Sequence, residues 1–157
     1  MLCAAMALAI TAQVQATSTP IGEPELAAVL RDAHYAVVHR FPSRHRLVSS
    51  TTHVMFETGR GAASKCHNLG AIGAIKGPFF RIAGHRLMAF EDFIDAGKAY
   101  WRTVPKCTSA VQAFDEERLT DASASLARCG YHRTKTDVYA RGLTGLVGVA
   151  WRAVDKL

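Results

Sequence analysis

Phe56-Glu57-Thr58-Gly59-Arg60-Gly61 sets an acid at the end of an apolar helical stretch and two glycines just beyond it. The stretch before it, His45 to Glu57, reads as a helix that Gly59 and Gly61 stop. Its Ser49-Ser50-Thr51-Thr52 run is poor helix material, so tertiary packing has to hold it. Glycines after a helix allow a sharp turn beside a cleft. An acid half-buried there is pushed toward its protonated form and can act as a general acid. From its immediate neighbours alone, Glu57 reads first as an ordinary exposed carboxylate near a helix end.

On the N-terminal side, Glu25 to Phe41 carries Leu26, Val29, Leu30, Ala33, Val37 and Phe41 at helical spacing, and Pro42 ends it. Residues 1–22 form a separate N-terminal segment ahead of a domain over 23–157. Residues 1–16, with Leu2 to Ile10 apolar and Val14-Gln15-Ala16 small, fit a secretory signal. No basic n-region supports it, and an Ala-rich first helix fits as well. Thr17 to Pro24 is rich in breakers and reads as a linker.

On the C-terminal side, Ala62 to Ala89 has glycines at 70, 73, 77 and 84 with Pro78. It reads as a loop followed by an extended pair, Phe79–Ile82 and His85–Ala89. Helical signals return with Phe90, Phe93, Ile94, Gly97, Trp101 and Val104 on one face, closed by Pro105. Asp115 is positioned to cap the next helix, with Glu116 and Glu117 near its positive end. Phe114 and Leu119 fit a hydrophobic staple there, and Gly130 suits the position after the last turn. Tyr139, Leu143, Leu146, Val147 and Ala150 line a final helix. The class is mostly α with one small hairpin.

The chain has 157 residues, enough for one core without metal staples. Hydrophobic residues are 49% and charged residues 20%, which excludes wholesale disorder. No apolar run reaches the ~20 residues of a spanning helix, so no membrane partner is expected. The first Lys or Arg is Arg31; from there on the chain holds 19 basic and 11 acidic side chains. That balance favours polyanionic partners without choosing one. The basic residues are scattered rather than ordered along one helix, so no nucleic acid is expected.

Beyond the acid comes Cys66-His67-Asn68-Leu69-Gly70-Ala71-Ile72. Glu-Thr-Gly-x-Gly, a spacer, then Asn-Leu-Gly-x-Ile resembles the peptidoglycan hydrolases of glycoside hydrolase family 73. These are β-N-acetylglucosaminidases of flagellar assembly and autolysis with a lysozyme-like α fold. Phe90 to Ala96 looks like the family's helix after the β-lobe. Cys129-Gly130-Tyr131-His132-Arg133-Thr134, with Tyr139 beyond, looks like its Gly-Tyr-x-Thr region. The resemblance runs in order from about Glu25 to Trp151.

The resemblance implies a lysozyme-like domain that cleaves β-1,4 bonds of bacterial peptidoglycan, with Glu57 as general acid. It implies Tyr131 as the tyrosine facing the reacting sugar, and Asn68, Gly70 and Tyr139 as substrate-binding positions. By local chemistry Asn68 also reads as a plain turn residue, and Tyr131 as a core tyrosine. No cofactor is implied. The implied location is secreted or periplasmic, reached by export or by delivery from a phage or secretion machine. A secretion or immunity partner stays unidentified.

One departure matters. Relatives often carry a second carboxylate in a longer β-lobe, whereas this chain has no Asp or Glu between Glu57 and Glu91. Glu91 and Asp92 fall where a helix begins, and acids there are ordinarily helix-end charges. A single glutamate acting as acid and then base, as in lytic transglycosylases, or help from the substrate's acetamido group, stays open. So do cleavage at the muramic acid side and a non-catalytic wall-binding module.

His53 lies one helical turn before Glu57 and shares its face. With Cys66 and His67 it raises a zinc site, but the spacing fits no usual pattern, so no metal is expected. Tyr100 and Trp101 can stack on sugars or fill the core. Cys107 opens one helical segment and Cys129 closes the next, so antiparallel packing would bring them together. A bridge there contributes on the order of 3 kcal/mol and needs an oxidising compartment; two buried thiols are the alternative.

Overall fold

A computed structural model of the chain describes residues 12–74 and 77–157. Among these residues the regular structure is six α-helices, one 3-10 turn and one antiparallel hairpin. The chain is mostly α with a short β-hairpin, as expected.

Helix α1 (Glu23–Val38) starts two residues before the expected position. Pro24 fits the first turn, where its missing N–H is not needed, and Glu23 and Glu25 sit at the positive end. It buries Leu26, Ala27, Leu30, Ala33 and His34. His39 ends it in a left-handed conformation (φ 58°), its N–H bonded to the Tyr35 carbonyl. The helix therefore stops before Phe41. That ring is 61% exposed and stacks on Tyr35 instead of joining the buried stripe.

Helix α2 (Arg44–Glu57) is capped by Ser43, whose hydroxyl accepts from the Arg46 N–H at 3.2 Å. Every residue from Leu47 to Met55 is buried, between α1 and the later helices. This explains the Ser/Thr run. A helix enclosed on all sides needs small side chains, and hydroxyls can return to the backbone. Thr52 donates to the Val48 carbonyl at 2.9 Å and Ser49 to the Phe114 carbonyl at 2.8 Å.

Strands β1 (Phe79–Ile82) and β2 (His85–Met88) pair with Phe79 opposite Met88 and Ile82 opposite His85. The two-residue turn takes positive φ at Ala83 and Gly84, which matches the twist of the strands. Residues 12–16, which include the proposed cleavage position, lie in no helix. Gln13 makes a parallel bridge to Phe79, and Val14 N–H donates to the Phe79 carbonyl at 2.7 Å. Further on, Ser18 bridges to Lys65. The rest of the signal-or-helix segment lies outside the described residues, as does Cys3.

Helix α3 (Phe93–Thr103) is capped by Asp92, whose carboxylate accepts from the Asp95 N–H at 2.8 Å. A 3-10 turn (Val104–Lys106) leads into α4 (Thr108–Asp115), α5 (Leu119–Arg128) and α6 (Thr136–Val154). Asp115 does not cap α5; it is the last residue of α4. Arg118 stands at the cap of α5, and Glu117 makes the turn with φ 52°. Phe114 is buried inside α4, so the expected staple does not form. Asp115 instead takes the Arg46 guanidinium in a two-pronged pair, at 2.7 and 2.5 Å. Cys107 and Cys129 form a disulfide (Cα–Cα 5.9 Å) joining the start of α4 to the end of α5.

Leu26, Leu30, Val48, Met55, Tyr100, Trp101, Phe114, Leu126 and Leu143 belong to one helical core. Tyr100 and Trp101 are core residues rather than sugar platforms, and the Trp101 indole N–H donates to the Leu30 carbonyl at 2.8 Å. Phe80, Cys66 and Ala89 form a small second cluster under the hairpin.

Candidate active site

Glu57 is the last residue of α2. Beyond the Thr58 cap, Gly59, Arg60 and Gly61 all have positive φ (55°, 61° and 88°), so the chain turns away at once. A Cβ at Gly61 would stand 2.2 Å from the Ile21 carbonyl oxygen, which explains the second glycine of the motif. The turn leaves the Glu57 side chain 15% exposed at the edge of the helical core.

Burial pushes the Glu57 carboxyl above the ordinary carboxylate range. Two features oppose it: the Tyr139 hydroxyl donates a hydrogen bond to Oε1, and His132 acts through its charge. The net direction is upward, toward an acid that keeps its proton.

His53 lies one turn earlier on α2 and is fully buried. Its Nε2 is 3.0 Å from the Tyr139 hydroxyl and 4.0 Å from Glu57 Oε1. Its Nδ1 is 2.9 Å from the Tyr100 hydroxyl. Desolvation pushes the imidazole down to about 3, so it is neutral at physiological pH. Both nitrogens are taken by hydroxyls, and His67 turns its Nδ1 to the Phe90 carbonyl at 3.1 Å. Among the described residues no three His, Cys, Asp or Glu side chains are grouped to hold a metal.

Asn68 directs the loop that follows. Its side-chain amide donates to the carbonyls of Ile72 (3.0 Å) and Met88 (2.8 Å), and its oxygen accepts from the Ile72 N–H (2.9 Å). Both amide hydrogens are thus engaged within the protein, and Asn68 acts on the cleft through the turn it pins to β2. Gly70 has φ +80°, and a Cβ there would meet the Tyr131 hydroxyl at 2.9 Å. Its carbonyl accepts a hydrogen bond from that hydroxyl. Tyr131 therefore bridges the loop to the segment before α6, with its ring 4.9 Å from that of His53.

These elements enclose a cleft of about 1070 Å³. One wall is Ala71, Ile72 and Gly73 with the hairpin residues Ile82 and His85–Leu87. The other is Gly130–Thr134, including Tyr131 and His132. Glu57 is not on that lining. It is linked to that wall through Tyr139, which stacks on the His132 ring and holds the carboxyl. Tyr139 itself is 2% exposed, so it serves Glu57 rather than offering a free surface to a ligand.

The structure thus gathers Glu57, Tyr131 and Tyr139 at one place, with Asn68 and Gly70 shaping the adjoining loop. It adds His53, Tyr100 and His132. For His53 the helical spacing to Glu57 was the available signal. His132 sits inside the Gly-Tyr stretch, but nothing local marks it as a partner of Tyr139. Asp92 is engaged as a helix cap and Glu91 is exposed beside it.

Comparison of the chain with protein-family models, curated proteins and solved structures finds no match.

Proposed function

We propose that the chain is a glycosidase that cuts the β-1,4-linked glycan strand of bacterial peptidoglycan, as an N-acetylglucosaminidase with a lysozyme-like fold and Glu57 as general acid. The observation that carries this is the Glu57 carboxyl itself. It ends a buried helix, burial raises its pKa, and the tyrosine that holds one of its oxygens stacks on His132 of the cleft wall. The order of the motifs quoted above supplies the substrate class.

In this mechanism Glu57 gives its proton to the glycosidic oxygen as the C–O bond breaks, and the bonding electrons leave with that oxygen. The carboxylate formed keeps the hydrogen bond from Tyr139, which stabilises its charge. Water completes hydrolysis, with the Glu57 carboxylate as base or with help from the substrate's acetamido group. The engagement of Asp92 as a helix cap favours these one-carboxylate routes. The net +6 chain suits a wall rich in carboxylates. A wall substrate lies outside the cytoplasm, and the Cys107–Cys129 disulfide suits an oxidising compartment.

The experiment is a digest of purified peptidoglycan beside Glu57→Gln, with products reduced by borohydride and read by mass spectrometry. Release by the wild type, reduced at least ~100-fold in the variant, is the expected result. A reduced N-acetylglucosamine end identifies a glucosaminidase, a reduced muramic acid end a lysozyme, and an anhydro end a transglycosylase. No product from walls of several chemotypes overturns the glycosidase reading. A non-catalytic wall-binding module then becomes the better one, and co-sedimentation with insoluble peptidoglycan tests it.

A further inference from the structure

His53 is buried where an apolar side chain would pack without needing partners, yet both its nitrogens meet tyrosine hydroxyls. Hydrogen accounting gives this chain a direction. Tyr139 has one hydroxyl proton and donates it to Glu57 Oε1. Its oxygen then accepts at His53, so Nε2 carries the ring hydrogen. A neutral imidazole has one N–H, so Nδ1 is bare and accepts from the Tyr100 hydroxyl.

We propose that His53 is a positioning residue for Glu57: as the Nε2–H tautomer it fixes the Tyr139 hydroxyl toward Oε1 and so leaves the acidic proton of Glu57 on Oε2. This rests on the reading of Glu57 as the general acid. No proton passes through His53. Oε2 gives its proton to the glycosidic oxygen, the C–O electrons go with the leaving group, and Oε1 retains the Tyr139 bond. With the chain reversed, Oε1 would hold the proton against Tyr139 and direct it into the core.

The device also needs an uncharged ring. The groups around His53 are Glu57 on its own helix, Tyr100 from α3, Phe114 from α4, Tyr131 and His132 from the segment before α6, and Tyr139 from α6. Of these, Glu57 and His132 are the groups whose charge bears on the ring, Glu57 by its carboxyl 4.0 Å away and His132 by lowering the pKa of His53. A cation at His53, 4.0 Å from Oε1, would favour the ionised carboxyl and remove the acid.

Long-range proton–nitrogen NMR of the ¹⁵N-labelled full chain, disulfide intact, tests the tautomer between pH 5 and 8. A His53 ring with hydrogen on Nε2 alone throughout is expected; hydrogen on Nδ1, or a charged ring, overturns the proposal. That measurement needs no turnover, so it stands apart from the fate of the glycosidase reading. In the peptidoglycan digest, His53→Phe is expected to lower kcat about 10-fold or more with KM little changed. His53→Gln, whose amide can accept from Tyr100 and donate to Tyr139, is expected to recover most of it. A folded His53→Phe with wild-type kcat overturns the proposal. Should the wild type release nothing, ¹³C NMR titration of Glu57 replaces kcat. An upward shift of its midpoint in His53→Phe is expected, and an unmoved midpoint overturns the positioning role.

Discussion

The rings of His132 and Tyr139 lie face to face, 3.7 Å between centroids and 4° from parallel. His132 belongs to the cleft wall and Tyr139 to the buried face of α6. The His132 ring is itself anchored, its Nε2 lying 3.1 Å from the Ser123 carbonyl on α5. The stack therefore ties the cleft surface to the hydroxyl that holds Glu57. His132→Ala removes this backing and is expected to lower kcat/KM about 10-fold in the peptidoglycan digest, a loss of about 1.4 kcal/mol. His132→Phe keeps an aromatic ring on Tyr139 and should retain most of the activity. Equal activity of all three proteins would show that the stack does not support the site.

Glu57 costs stability where it is ionised. Its folded carboxyl is raised above the ordinary value of 4.5 by burial. Above that value the unfolded chain gives up the proton first, so stability falls as pH rises toward the folded value. Glu57→Gln keeps an oxygen for Tyr139 and carries no charge. The variant is expected to melt at a higher temperature than wild type at pH 7, with the gap closing below about pH 4. A lower melting temperature at pH 7 would mean that the carboxylate is well solvated.

His53 acts in the opposite pH direction. The folded imidazole is pushed down from 6.5 to about 3 by burial, so between those values only the unfolded chain binds its proton. Stability is full above about pH 6.5 and declines as pH falls, by at most about 1.4 kcal/mol per pH unit. Urea denaturation at half-unit steps from pH 4 to 7 should show this slope in the wild type. His53→Gln, which does not titrate, should show less of it. Identical slopes would assign the acid sensitivity to other groups.

Two glycines on α6 separate packing from helix propensity. A Cβ on Gly142 would come within 2.1 Å of the Phe56 ring, next to Glu57. Gly142→Ala is expected to cost about 1–3 kcal/mol in urea denaturation and to lower activity by displacing the end of α2. Around Gly145 a Cβ would meet nothing within 4 Å. Gly145→Ala should therefore stabilise the chain by up to about 1 kcal/mol. A Gly142→Ala protein as stable as wild type would mean that Phe56 moves aside at little cost.

Local patterns carried the element order. Apolar spacing marked α1 and α6, glycines and Pro78 framed the hairpin loop, and Asp92 read as a helix-start acid became the cap of α3. These signals act within a few residues, so one sequence holds them in full. Asp115 misled because Asp-Glu-Glu before Leu119 has a capping look, while the buried Ala110, Ala113 and Phe114 draw Asp115 into α4. Phe41 misled because spacing alone cannot foresee the left-handed His39 that ends α1 early.

The sequence by itself determined where Glu57 stands: at the end of α2, before a turn that only glycine-rich chain can make. What surrounds that carboxyl was decided by tertiary structure. His53 meets Tyr100 across 47 residues and Tyr139 across 86, and Tyr131 meets Gly70 across 61. No periodicity or local spacing encodes those distances. They arise because α2, with its small buried side chains, packs closely on α6 and brings Tyr139 to His53, while α3, packed on α1, reaches the same histidine through Tyr100.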